Sequence, residues 1–298
     1  MVTLNRALLK ASPFYEEEFL TANYPKPGKW DERPRPAGKT LRTKLYHSGA
    51  APVSRGLGTN GSTTTSESQV YSNYGYAPNG VTVRSPFALA NDAMLITASP
   101  ATQAEADAVD ASCGPASYAY RRRPKYVSGM MMTDPLGFGY TEVRMRRPLT
   151  AKGDFPAFWM MSLPGANHQE IDFEWVDGEP GYVFTNVLSD NDEWGGKRSS
   201  QYVAGNFGAG QKFTNDSSVY HTYGVFRSFE TIEFYIDETR VRTIVNSNGA
   251  NGAGCHHPMC AIVDLAKDGE WNYNKGNVGA GTETSSLEID FIKHWDLL

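Results

Sequence analysis

From Glu170 to Glu174 the chain reads Glu-Ile-Asp-Phe-Glu, with carboxylates at Glu170, Asp172 and Glu174 separated by large apolar residues. In a β-strand successive side chains point to opposite faces, so the three carboxylates share one face while Ile171 and Phe173 enter a core. Three like charges on one face repel one another, which serves acid–base chemistry better than it serves sheet stability. Hydrolysis of a glycosidic bond with retention needs two carboxyl groups roughly 5–5.5 Å apart, one as nucleophile and one as acid/base. On a flat strand the Cα atoms of Glu170 and Glu174 lie about 13 Å apart, and a curved sheet tilts their long side chains together. Asp172, between them, is placed to share a proton with the nucleophile and to separate the pKa values. These residues alone leave open which glutamate plays which part.

The elements that must position this strand are themselves strands. Two-residue periodicity marks 81–84, 93–97, 140–145, 182–187, 222–226, 231–236 and 287–295 as β, with turn pairs such as Asn79-Gly80 and Asp177-Gly178 between segments. One short helix is predicted over 101–109. The stretches 49–68 and 246–254, rich in Gly, Ser, Thr and Asn, read as loops. Many short strands with few helices predict an all-β fold, a sandwich of two antiparallel sheets. No repeat or shift of composition divides the chain, so residues 1–298 are read as one domain, with about 1–13 as an N-terminal arm.

Around the carboxylate strand the chain resembles glycoside hydrolase family 16, the jelly-roll endo-glycanases. Glu170-Ile171-Asp172-Phe173-Glu174 matches that family's E-[IL]-D-x-E signature, and Phe155-Pro156-Ala157-Phe158-Trp159 is similar to its "WPAFW" strand. Ser128-Gly129 with 140–144 resembles "SG…YGYFEAR", and 220–223 with 234–237 resembles "FHTY…FYVDG". The stretch from Pro258-Met259 to Trp271 resembles "PMYLILNLAVGGSW", 67–73 resembles "ELQVYTN", and 287–295 resembles "DYVRVW". The resemblance implies a jelly roll with a concave cleft, Glu170 as nucleophile, Asp172 as its helper and Glu174 as acid/base. The signature lacks the extra residue between Asp172 and Glu174 found in bulged members. That spacing resembles lichenases, xyloglucan-active enzymes and bacterial exopolysaccharide depolymerases. The expected substrate is therefore a β-glucan or a bacterial exo- or capsular polysaccharide, cut internally through a covalent glycosyl-enzyme.

Further sugar contacts are expected at Trp159, Trp194 and Trp271, since an aromatic face suits the apolar C–H side of a pyranose. Asn186 and Asn73 are implied by resemblance, and His168 would share the carboxylate face if the strand extends that far. Trp175 alternates away from that face and is read as core. The resemblance also implies a structural calcium on the convex face, held by Glu17 or Glu18 with Asp290, whose hard oxygens suit that ion. No cofactor is expected for catalysis itself.

Bulk properties narrow the partners. With 28 basic and 33 acidic residues the net charge of −5 does not describe a nucleic-acid binder. The run Arg121-Arg122-Arg123-Pro124-Lys125 is read as a solvated loop. No stretch approaches the roughly 20 apolar residues of a membrane helix, and the N-terminus lacks a signal-peptide pattern. A monomer acting on an extracellular polysaccharide is expected, either secreted or carried on a virion. Two rival readings stand beside hydrolysis: a polysaccharide-binding virion or surface protein, and a transglycosylase on the same site. Cys255 and Cys260 are spaced to close a short loop around His256-His257-Pro258, and their pairing stays open.

Overall fold

The computed structural model describes residues 2–19, 44–45, 68–73, 76–112, 124–147, 152–162, 169–175, 183–189, 206–207, 211–212, 219–247, 253–268 and 279–298. In chain order the strands are β1 (Tyr15–Glu18), β2 (Lys44–Leu45), β3 (Gln69–Tyr71), β4 (Phe87–Ala90), β5 (Ala93–Pro100), β6 (Tyr126–Ser128) and β7 (Met130–Met132). There follow β8 (Gly139–Arg146), β9 (Asp154–Ser162), β10 (Gln169–Glu174), β11 (Phe184–Ser189), β12 (Asn206–Phe207) and β13 (Gln211–Lys212). The last five are β14 (His221–Arg227), β15 (Thr231–Ile236), β16 (Thr239–Val245), β17 (Met259–Lys267) and β18 (Ser285–Asp296).

Two sheets form the sandwich. The larger runs β16-β15-β14-β8-β18-β5-β6-β3, with β1 on β18 and β4 on β5; the smaller runs β11-β10-β9-β17-β7-β2. Their pairing is antiparallel apart from β3 with β6. Alternation sends one set of side chains from each sheet into a shared core. Phe158, Met160, Ile171, Phe173, Val187, Ala261, Val263 and Leu265 come from the smaller sheet, and Val143, Met145, Tyr223, Val225, Ile289 and Ile292 from the larger. Trp175 is buried among them, stacked on Phe173 and edge-on to Tyr223, as its place in the alternation predicts.

The outer face of the larger sheet carries a second cluster of Tyr140, Phe226, Tyr235 and Trp295, capped by Leu4 and Leu9 of the N-terminal segment. Arg6 lies over the Tyr140 and Trp295 rings and pairs with Glu238, which ties this segment down. The helix α1 (Gln103–Ser112) begins two residues later, and ends three residues later, than the sequence pattern indicates. Thr102 Oγ1 accepts from the Glu105 N–H, and Glu105 Oε2 accepts from the Thr102 N–H, a reciprocal box that fixes the start. Residues 81–84 are not a strand. Val83 bonds through its N–H to the Tyr76 carbonyl, and the Arg84 N–H goes to Glu105, so the segment's alternation reflects local packing of Val83 with Val70, Val109 and Val127.

The chain changes sheets at Gly129, between β6 in the larger sheet and β7 in the smaller. A methyl group at Gly129 would fall 2.7 Å from the Phe87 ring, so the close crossing requires glycine. Across the core, the buried Arg227 guanidinium donates to the carbonyls of Leu136, Gly137, Cys255 and His257. It stitches the loop before β8 to the loop before β17. Cys255 and Cys260 are both buried and are not joined to each other. Replacing Arg227 with Met should strand several buried acceptors and cost about 3 kcal/mol of stability. Urea denaturation checks this, and a loss well under about 1 kcal/mol would contradict the stitching role.

Candidate active site on the carboxylate strand

Because the smaller sheet gives its even-numbered positions on β10 to the side away from the core, Glu170, Asp172 and Glu174 stand together on its outer face. The strand is unbulged: Gln169 through Glu174 pair one-to-one with Ser189 through Phe184 of β11, and Glu170 through Glu174 with Met161 through Ala157 of β9. The register places Trp159 on one side of Asp172 and Asn186 on the other. On the far side of β9, Ile262 pairs with Trp159 and Asp264 with Ala157.

Several contacts hold this register. The Gln169 N–H donates to Ser162 Oγ, its side-chain amide donates to the Gly254 carbonyl, and its Oε1 accepts from the His257 N–H. At the other end of β9, Lys267 Nζ meets Asp154 Oδ1 at 2.7 Å, a pair in register between β17 and β9 and buried with the Ser285 hydroxyl donating to the same oxygen. The edge strand β11 is fastened to the larger sheet by Arg242, which donates to Thr185 O and Oγ1 at 2.7 and 3.1 Å, one residue from Asn186.

Asp172 is only 2 % exposed. Burial pushes its carboxyl well above the usual range, and Glu170, then Glu174, push it further in the same direction; Asn186 opposes by donating a hydrogen bond to it. Asp172 Oδ2 and Asn186 Oδ1 are buried with no hydrogen-bond partner among the described residues. An aspartic acid that keeps its proton between two glutamates can donate to whichever of them becomes the nucleophile and take that proton back as charge is lost there.

Beside the carboxylates lies an apolar floor of Tyr71, Met130, Met132, Met161, Cys260 and Ile262, with the partly exposed Trp159 packed on it. Asp264 is set in this floor. Tyr71 Oη donates to its Oδ2 at 2.5 Å and Trp159 Nε1 donates to its Oδ1 at 3.1 Å.

Of the residues predicted from sequence, the structure thus brings Glu170, Asp172, Glu174, Trp159 and Asn186 onto one face. Asn73 lies half-buried just past β3, two residues beyond Tyr71. His168, Trp194 and Trp271 fall outside the described residues, as does 121–123 of the basic run. Tyr71, Asp264 and Gln169 were not singled out by sequence. The signal for Asp264 was present, because it stands where the resembled "NLAVGG" pattern has asparagine.

Two of the three residues expected to hold calcium are engaged with cations. Glu17 is buried and Glu18 exposed on opposite faces of β1, Glu18 pairs with Lys293 at 2.7 Å, and Asp290 pairs with Arg144. Among the described residues, no group of three or more His, Cys, Asp or Glu side chains is placed to hold a metal. Glu18 and Asp290 are thus neutralised by cations of the neighbouring strands.

Comparison with known proteins gives a consistent frame. A family model described as glycosyl hydrolases family 16 matches residues 103–292. The endo-1,3-1,4-beta-glycanase ExsH of Rhizobium meliloti is 29% identical over 240 residues, covering 78% of this chain and 43% of that protein. Xyloglucan endotransglucosylase/hydrolase protein 3 of Arabidopsis thaliana is 26% identical over 170 residues, 56% of this chain and 53% of that one. The chain therefore spans about half or less of the length of these relatives. Among solved structures, SCLam, a non-specific endo-beta-1,3(4)-glucanase, aligns with a TM-score of 0.64 at 18% identity, over 99% of this chain and 94% of that one. The laminarinase from Rhodothermus marinus aligns with a TM-score of 0.63 at 17% identity, over 98% and 99%. These two likenesses establish the jelly-roll fold.

The buried acid has a thermodynamic consequence. Folded Asp172 holds its proton above the ordinary carboxyl value near pH 4, so the folded chain binds more protons than the unfolded chain as pH rises from there to the raised folded value. Stability from this group is full below about pH 4 and is lost as pH climbs through that interval. Wild type should therefore lose stability relative to Asp172→Asn as pH rises, read from urea midpoints of the two proteins side by side. A difference that stays constant with pH would refute a neutral, buried Asp172.

Proposed function

Because the chain belongs to glycosyl hydrolase family 16, we propose that it is a retaining endo-glycosidase that cleaves internal β-linkages of a β-glucan or a bacterial exopolysaccharide. The observation that carries the reading is the unbulged β10, which sets three carboxylates on one face with the middle one buried and its carboxyl pushed well above the usual range. Glu170 attacks the anomeric carbon while Glu174 gives its proton to the departing sugar oxygen, so the glycosidic bond breaks as the Glu170–sugar ester forms. Asp172, hydrogen-bonded by Asn186, stabilises the nucleophile before attack and follows its change of charge. Glu174, now a base, takes a proton from water, which attacks the same carbon and releases the sugar with its configuration retained. Trp159 offers an apolar surface for the pyranose beside the bond cut.

Glucans with β-1,3 and β-1,4 bonds are the favoured substrates, by likeness to the Rhizobium glycanase, whose name carries those linkages. A polymer of this kind lies outside the cell, so an extracellular site of action follows. Transfer to a sugar acceptor is a second reading, favoured by likeness to the Arabidopsis protein; it differs only in the hydroxyl that attacks the ester.

The test is to incubate wild type and Glu170→Gln with mixed-linkage glucan, laminarin, xyloglucan and bacterial exopolysaccharides, following reducing ends and chain length. Wild type should shorten at least one polymer, and the variant should lose about 10³-fold or more of that rate. No shortening by wild type would contradict hydrolysis, and growth of chain length without new reducing ends would favour transfer. Azide separates the two glutamates: with an activated aryl β-glycoside, Glu170→Ala should yield the α-glycosyl azide and Glu174→Ala the β-glycosyl azide. The reverse pattern would exchange their roles.

A further inference from the structure

Asp264 is a charged residue where packing alone would call for an apolar one. Its neighbours along the same face of β17 are Cys260 and Ile262, and it is 4 % exposed. The facing residues are Ala157 and Trp159 on β9, Met130 on β7 and Tyr71 on β3. Further along the same face, past β9, stand Glu170, Asp172 and Glu174 on β10. Among the described residues, Tyr71, the Cys260 thiol and these three carboxyl groups are thus the titratable groups on this face, and no Lys, Arg or His pairs with Asp264. An isolated buried carboxylate is costly to the fold unless its oxygens are satisfied. Here one oxygen takes the Tyr71 hydroxyl and the other the Trp159 indole N–H.

We propose that Asp264 is a positioning residue of the cleft, whose carboxylate locks the Trp159 indole and the Tyr71 phenol as one pair so that a sugar resting on Trp159 lies in register with Glu170 and Glu174. This rests on the hydrolase reading above. Trp159 is the cross-strand partner of Asp172, so a rotation of the indole displaces a sugar resting on it relative to the carboxylate strand. Fixing an aromatic platform by its N–H removes rotamer freedom before substrate arrives. Tyr71 and Trp159 donate to different oxygens, and an amide at 264 replaces one of those oxygens with an NH₂ that cannot accept, so one donor loses its acceptor.

The lock also has a working range. Burial pushes the Asp264 carboxyl up to about 7, against the hydrogen bonds from Tyr71 and Trp159 that favour its ionised form. Above that value both donors meet a carboxylate; below it one oxygen carries a proton and the pair loosens. Asp264 adds its charge to those that hold Asp172 protonated.

Tryptophan emission of the whole chain, titrated from about pH 5 to about pH 9, tests this without any need for turnover. The difference between wild type and Trp159→Phe isolates Trp159 among the 6 tryptophans. It should show a transition near pH 7 that persists in an Asp172→Asn background and vanishes in Asp264→Asn. Tyr71→Phe, which removes a hydrogen bond favouring the ionised form, should move it to higher pH, and this variant carries the test should Asp264→Asn fail to fold. A transition that survives in Asp264→Asn, or that Tyr71→Phe leaves in place, overturns the proposal. On a glucan that wild type cleaves, Asp264→Asn should raise KM about tenfold with kcat within about threefold. Wild-type KM should rise below about pH 7 while that of the variant stays flat. An unchanged KM also overturns the proposal, whereas failure of wild type to cut any polymer counts against the hydrolase reading alone.

Discussion

The crowding of negative charge around Asp172 is the constraint on which the rest of the site depends. Burial, Glu170 and Glu174 all disfavour its ionisation, and Asn186 relieves only part of that. Such a group survives in a folded protein as a neutral acid, or not at all. A neutral acid between two glutamates can exchange a proton with a nucleophile that gains and loses charge during each turnover. The like-charge repulsion that weakens the strand is therefore the source of its chemistry.

Keeping that arrangement demands a rigid frame, because a one-residue slip of β10 would turn all three carboxylates into the core. The frame is visible as contacts at both ends of the smaller sheet and at its β11 edge. Gln169 ties the start of β10 to 254–257, Lys267 and Asp154 lock β17 to β9, and Arg242 ties β11 to the larger sheet. Arg227 then joins the loops that flank the sheet through four backbone carbonyls. Each device uses polar groups hydrogen-bonded between separate elements, which fixes one geometry more sharply than apolar packing does.

What could be read from the chain alone followed from local periodicity. The alternation of 170–174 gave the shared face and sent Trp175 inward, and the absence of an inserted residue foretold the continuous ladder that pairs β10 with β9 and β11. The helix is legible in the chain, and its start is set by the capping box of Thr102 and Glu105. Alternation misled at 81–84, where Val83 packs locally and no neighbouring strand accepts the ladder. The same rule, applied within β1, puts Glu17 and Glu18 on opposite faces, so only one of them can stand on the same face as Asp290. The Tyr71–Asp264 contact spans 193 residues of sequence and has no local signature, since only the fold brings β3 to β17.

The protonation state of Asp172 is the most direct measure of the whole account. Carboxyl carbon chemical shifts of the ¹³C-labelled chain, assigned by comparison with Asp172→Asn and followed through neutral pH, read it without substrate. A resonance that remains that of the neutral acid well above the ordinary aspartate value near pH 4 is the predicted result. A resonance that ionises at or below that ordinary value would contradict the account.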